Sequence, residues 1–220
     1  MITLWGRRNS LNVIKVLWAA AEAGVELERH TAGGSFGGLD DKAFLKLNPM
    51  GLVPVIRDGT IVLFESQAII RHIARRYGRK TIQPRGQKAM ALADQWMDWS
   101  MSTAQAAIGP LFMNTVRREE DSRDPAFIKS AAKSAAQAFK IADRWLGRKP
   151  FFAGRNFSTA DIPLGCVYWR YQNLEIDRPQ FKNLDRWFDG LKQREAYRQW
   201  VMVPLGRNPA EWLKNEAELR

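Results

Sequence analysis

Residues 51–77, GLVPVIRDGTIVLFESQAIIRHIARRY, admit few arrangements. Val53, Val55 and Ile56 read as a buried strand interrupted by Pro54, and Arg57-Asp58-Gly59 is a turn signal. Thr60 to Phe64 reads as a second strand, running through Glu65-Ser66 into a helix that reaches about Tyr77. Two strands joined by so short a turn must pair antiparallel. Proline gives no N–H to a sheet ladder, so Pro54 belongs at an edge, a bulge or a special site.

Upstream, Ile2–Trp5 is a short strand and Leu11 to Ala23 places Val13, Val16, Leu17, Ala20 and Ala21 at helical spacing, stopped by Gly24. The strand VELERH follows, so the first β-α-β unit predicts a parallel pair with a right-handed crossover. After the loop GGSFGG and a short helical piece around Lys42–Leu47, residues 1–78 read βαβαββα, a four-stranded mixed sheet carrying helices.

Residues 79–88 read as a linker, with glycine, proline and charge but no periodicity. Residues 89–205 read as all-helical: a long apolar-rich helix bent near Gly109-Pro110, and an alanine-rich helix opened by Asp124-Pro125. FSTADI, residues 157–162, reads as a helix start with Ser158 as N-cap, Asp161 at N3, and Phe157 and Ile162 as a hydrophobic staple. Helices near 181–192 and 194–202 follow, and residues 206–220 read as a C-terminal surface extension. The fold class is α/β plus all-α.

A chain of 220 residues with 45% hydrophobic content suits one large domain or two small ones. One cysteine, Cys166, leaves no internal disulfide framework and predicts a reducing, cytoplasmic setting. His30 and His72 form no cluster with it at metal-ligand spacing. No apolar run approaches the roughly 20 residues of a membrane helix. The run VLWAAA is shorter than a signal-peptide core of about 7–15 residues.

The net charge of +11 raises a nucleic-acid role. Yet the basic residues from Arg71 to Lys88 carry no interleaved aromatics and no RNA-binding or zinc-finger signature. They read as a solvated helix end and linker, so neither nucleic acid nor membrane is an expected partner. A basic surface does steer small anionic ligands.

Three stretches carry a resemblance: NPMGLVPVI, LFESQAIIRHIARRYG and FSTADI, with SLNVIKVLW as a weaker match. In this order and spacing the chain resembles a cytosolic glutathione transferase of a bacterial-like, serine-using type with theta- and nu-like features, over residues 1 to about 205. The resemblance implies a thioredoxin-like glutathione-binding domain at 1–78 and an all-helical substrate-binding domain at 89–205.

It implies a cis Val53-Pro54 peptide that turns the Val53 N–H and C=O toward the cysteinyl part of glutathione. Glu65 would face the glutamyl ammonium, and the Ser66 N–H and hydroxyl would dock the glutamyl carboxylate. Read from residues alone, Pro54 is equally an edge-strand proline, and Glu65-Ser66 equally favours and caps its own helix. Ser10, at the start of the first helix, would donate to the glutathione thiolate. A charge-assisted hydrogen bond of about 1.5–3 kcal/mol lowers a thiol pKa by roughly one or two units. Ser10 is otherwise a plain N-cap. Asn12 is the second candidate, because Ser-x-Asn resembles the Thr-x-Asn of the nu class; it either donates to sulfur or steadies the first turn.

No tyrosine precedes Tyr77 and no cysteine occurs in the first domain, which excludes tyrosine-using classes and an enzyme-thiol mechanism. The implied activity joins glutathione, as co-substrate, to small hydrophobic electrophiles in a detoxification role. Alternatives are a nu-like disulfide or peroxide reductase and a non-catalytic glutathione-binding module. The resemblance also implies a homodimer, with domain one of each subunit against domain two of the other. An electrophile pocket between the domains would draw on Met101, Ile108, Phe112 and Trp169. For the glycyl carboxylate only Lys42 is basic in GGLDDKAF, and no residue is assigned.

Overall fold

The computed structural model describes residues 1–219; Arg220, the end of the expected extension, lies outside the described residues. Strand β1 (Ile2–Trp5) leads to α1 (Leu11–Glu22) and β2 (Leu27–His30), then α2 (Lys42–Leu45), β3 (Val55–Asp58), β4 (Ile61–Phe64) and α3 (Ser66–Arg76). The sheet order is β2-β1-β3-β4. β1 pairs parallel with β2 and antiparallel with β3, and β3 pairs antiparallel with β4. This is the mixed thioredoxin-like sheet expected from the sequence, with α1 packed on α3 over one core. The α1 stripe of Val13, Val16, Leu17 and Ala20 is fully buried there.

β3 begins two residues later than the apolar run. Its first pair is Trp5 with Val55, so Val53 and Pro54 stand outside the ladder, where a missing N–H costs nothing. The Val53–Pro54 peptide is cis.

The rest of the described chain is helical. α4 (Gln87–Trp99) passes into a π-helical stretch at Ser100–Gln105 and then into α5 (Ala106–Thr115), which contains Pro110. The irregularity in this helix is the π-helical stretch, upstream of Gly109-Pro110 where a bend was expected; Pro110 itself cannot donate to the Ala106 carbonyl.

α6 (Pro125–Leu146) starts as read, with the Asp124 carboxylate accepting the Phe127 N–H at 3.0 Å. α7 (Asp161–Gln172) runs through the centre, flanked by α8 (Lys182–Lys192) and α9 (Glu195–Trp200). α1 and α7 approach closely because Gly165 has no side chain: a Cβ there would lie 2.8 Å from Trp18.

The expectation of a surface extension after Leu205 fails for residues 209–218, which form α10 (Pro209–Glu218). Asn208 caps it by accepting the Glu211 N–H at 2.9 Å, and Pro209 supplies the pre-set first turn. Trp212 is buried against Phe112 with ring centroids 5.0 Å apart, and Glu216 is buried against Arg7 at 2.8 Å. Apolar burial and one enclosed ion pair hold this segment down.

Candidate active site

Register alone brings the predicted residues to one edge of the sheet. β1 ends at Trp5, which pairs with Val55 at the start of β3, and Val55 pairs with Phe64 at the end of β4. The segments leaving that edge are therefore the β1–α1 loop with Ser10, Val53-Pro54, and Glu65-Ser66. Contact is close: a Cβ at Gly6 would lie 3.4 Å from the Val53 Cβ.

At Val53 the backbone N–H and C=O have no protein partner among the described residues, so this stretch presents an open strand edge. Ser66 opens α3, where backbone N–H groups lack intrahelical partners and the dipole favours an anion. Its hydroxyl is buried and unpaired. Glu65 before it is exposed and takes φ 69° and ψ 110°, a strained left-handed backbone for a residue with a side chain.

Ser10 precedes α1, is 9% exposed, and its hydroxyl caps no N–H of its helix. The plain capping account of Ser10 thus loses its hydrogen bond. Ser10 and Asn12 line a cavity of about 340 Å³ with Ile108, Phe112, Met113 and Trp212. Of the four pocket residues expected, Ile108 and Phe112 are there. Met101 lies in the wide turn and does not line it, and Trp169 turns its indole N–H to the Val203 carbonyl at 3.1 Å. Val53, Pro54, Glu65 and Ser66 do not line this cavity; they form the adjoining sheet edge.

Lys15 is the residue that the sequence reading passed over. It sits on the buried side of α1, fully enclosed, and its ammonium donates to Asn12 Oδ1 at 3.0 Å and Gln105 Oε1 at 2.5 Å. Burial pushes the Lys15 amine down to about 8 from its usual 10.5. An ammonium only donates, so it fixes the Asn12 oxygen toward itself and turns the amide N–H₂ away. Gln105 closes the π-helical stretch, which thus carries the second acceptor for Lys15. Nothing local in the sequence marks a lysine whose partner is 90 residues away.

Three arginines also went unremarked. Arg7, Arg117 and Arg170 line the same cavity, Arg7 paired with Glu216 of α10. Among the described residues no group of three or more His, Cys, Asp or Glu could hold a metal ion. None of the described helices is long and apolar enough to cross a membrane.

Two family models match the chain. Residues 1–75 match the glutathione S-transferase N-terminal domain and residues 102–195 the glutathione S-transferase C-terminal domain. Glutathione S-transferase GstB of Escherichia coli is 37% identical over 207 residues, covering 93% of this chain and all of that protein. The theta class glutathione S-transferase of Xanthomonas axonopodis pv. citri, solved with glutathione bound, is 41% identical with a TM-score of 0.89, covering 93% of this chain and 99% of that one. Poplar glutathione transferase F1 is 28% identical with a TM-score of 0.81, covering 91% and 96%.

Proposed function

Because the chain belongs to the glutathione S-transferase family, we propose a division of labour among its residues for transfer of glutathione to an electrophile. Glutathione lies on residues 1–78 and the electrophile mainly against residues 89–205 and the tail beyond, with 79–88 as the connector. The Val53 N–H and C=O pair with the cysteinyl backbone of glutathione beside Pro54. The Ser66 N–H and hydroxyl take its glutamyl carboxylate, and Glu65 takes its ammonium.

Ser10 donates its O–H to the sulfur, and Asn12, with its oxygen held by Lys15, donates an N–H. Serine is far too weak an acid to act as base at neutral pH, so both groups stabilise the thiolate. That thiolate is the nucleophile. It attacks an electrophile seated against Ile108, Phe112, Met113 and Trp212, in a role of clearing reactive compounds. The observation that carries this reading is the free Ser10 hydroxyl, uncommitted to its helix and open to the cavity.

Ser66→Ala is expected to raise KM for glutathione by roughly tenfold to a hundredfold, the cost of one hydrogen bond to a carboxylate, with kcat less affected. Initial rates at varied glutathione check it. An unchanged KM would mean that the unpaired Ser66 hydroxyl has no part in holding the tripeptide.

We also infer a homodimer. β4 is an edge strand whose Ile61, Val62 and Phe64 are 37%, 38% and 37% exposed, and Met50 and Leu52, shortly before β3, are 64% and 57% exposed. An apolar edge of this kind needs a cover. Light scattering should report about twice the 25.2 kDa chain mass, and a monomer at micromolar concentration overturns the inference. The buried free Cys166 suits a reducing cytoplasm.

A further inference from the structure

The cavity beside Ser10 holds more positive charge than the chemistry above uses. Arg7, Arg117 and Arg170 share it with Asn9, Phe112 and Trp212. Only Arg7 has an acidic partner, Glu216; Arg117 and Arg170 make no ion pair among the described residues.

Arg170 is 9% exposed. Its guanidinium stacks on Phe112 at 4.3 Å and lies 5.8 Å from Trp212. Of its five donor hydrogens, one is used among the described residues, on the Asn9 carbonyl at 3.3 Å. Burial, and after it the charge of Arg7, with Arg117 adding to both, pushes Arg170 down to about 9, so it stays charged at neutral pH. A buried cation without a counter-ion, facing two like charges, is a costly arrangement. A second observation points the same way. Asn9 is 1% exposed, and both its amide oxygen and nitrogen lack partners among the described residues.

We propose that the acceptor carries an anionic group, a carboxylate or its like, seated on Arg170 and Arg117 while its apolar body lies against Phe112 and Trp212. This rests on the transferase reading and narrows the acceptor from a small apolar electrophile to an amphipathic acid. The glutamyl carboxylate of glutathione already has its proposed partner in Ser66, whereas these arginines sit in the helical region proposed for the electrophile. Arg170 belongs to α7 and Arg117 follows α5.

The test compares 4-chloro-3-nitrobenzoate with 4-chloro-3-nitrobenzamide, each rate divided by its uncatalysed rate. In both, the thiolate attacks the chlorine-bearing carbon. The C–S bond forms, the C–Cl bond breaks, chloride leaves with the bonding pair, and the thiol proton goes to solvent. The benzoate is expected to be favoured at least about tenfold in kcat/KM, and rising salt should erode that preference.

Arg117→Ala, at an exposed position whose loss opens no core, should cut the benzoate-to-benzamide ratio by roughly tenfold; Arg170→Met should cut it further. Equal use of both compounds, with a ratio that Arg117→Ala leaves alone, overturns the inference and leaves the transferase standing. A rise in KM for glutathione in Arg117→Ala, without a change in that ratio, assigns the arginines to glutathione and overturns it too. No conjugation of either compound, with glutathione still bound, removes the transferase reading and this one together.

Discussion

Replacing Asp161 by alanine is expected to lower stability by about 3–5 kcal/mol, enough to leave much of the protein unfolded at 37 °C. The carboxylate is fully enclosed at the first turn of α7. Its Oδ1 accepts the Phe152 N–H at 3.1 Å and the Trp187 indole N–H at 2.9 Å. Its Oδ2 accepts the Ser158 N–H at 3.0 Å and, more weakly, the Ser158 hydroxyl at 3.4 Å.

Truncation strands three buried N–H donors in places that water cannot reach, each costing about 1–3 kcal/mol. α7 is one of the helices against which α1 packs, so the damage passes to the glutathione side as well. Urea unfolding followed by tryptophan fluorescence measures the effect. A loss under about 1 kcal/mol would mean that the pairings around the FSTADI turn are incidental.

Lys15→Met is expected to do two opposite things. Activity at pH 7 should fall by roughly tenfold to a hundredfold, because Asn12 loses the charge that orients its amide and the bound thiol pKa rises by one or two units. Stability should rise, because a desolvated ammonium is exchanged for an apolar chain of similar length.

The sign follows from the direction of the shift. Folding lowers the Lys15 pKa from 10.5 to about 8, so the folded state binds fewer protons between those values than the unfolded state. The destabilisation, roughly 3 kcal/mol, is therefore complete below pH 8 and fades as pH rises toward 10.5. Wild-type protein should gain stability across that window relative to Lys15→Met. A merely structural lysine would not move the bound-thiol pKa, so parallel stability curves with unchanged thiol titration would contradict the positioning role.

What the sequence made legible was local. The Asp58-Gly59 turn, the Gly24 stop and Asp124-Pro125 each act within a few residues, and each lies close to where it was read. Ser158 and Asp161 do pair, but α7 opens at Asp161 with Ala160 at its N-cap, so Ser158 is not the expected N-cap because a turn at 159–160 separates it from the helix. Pro54 announced a special position because its chemistry excludes the ordinary one. The contacts that build the cavity are of another kind. Lys15 reaches Gln105 and Arg170 reaches Asn9, across 90 and 161 residues. Only packing decides those meetings.

The tail was misread although Asn208-Pro209 is an N-cap and first-turn pair of the same kind as Asp124-Pro125. That signal was present. What the sequence did not display was the seat that Arg7 and Phe112 offer to Glu216 and Trp212. Near Gly109-Pro110 the irregularity is likewise elsewhere than the proline signal alone suggests, in the π-helical stretch at Ser100–Gln105.

The central claim is that Ser10 makes a thiolate of bound glutathione, and the direct measurement is thiolate absorbance during titration of glutathione into wild-type and Ser10→Ala protein from pH 5 to 10. The account predicts a saturable signal with a bound-thiol pKa one or two units below the ordinary thiol value near 8.5 in the wild type. In Ser10→Ala, bound glutathione should titrate at least about one unit higher than in the wild type. Glutathione that binds both proteins with the same thiol pKa would contradict it.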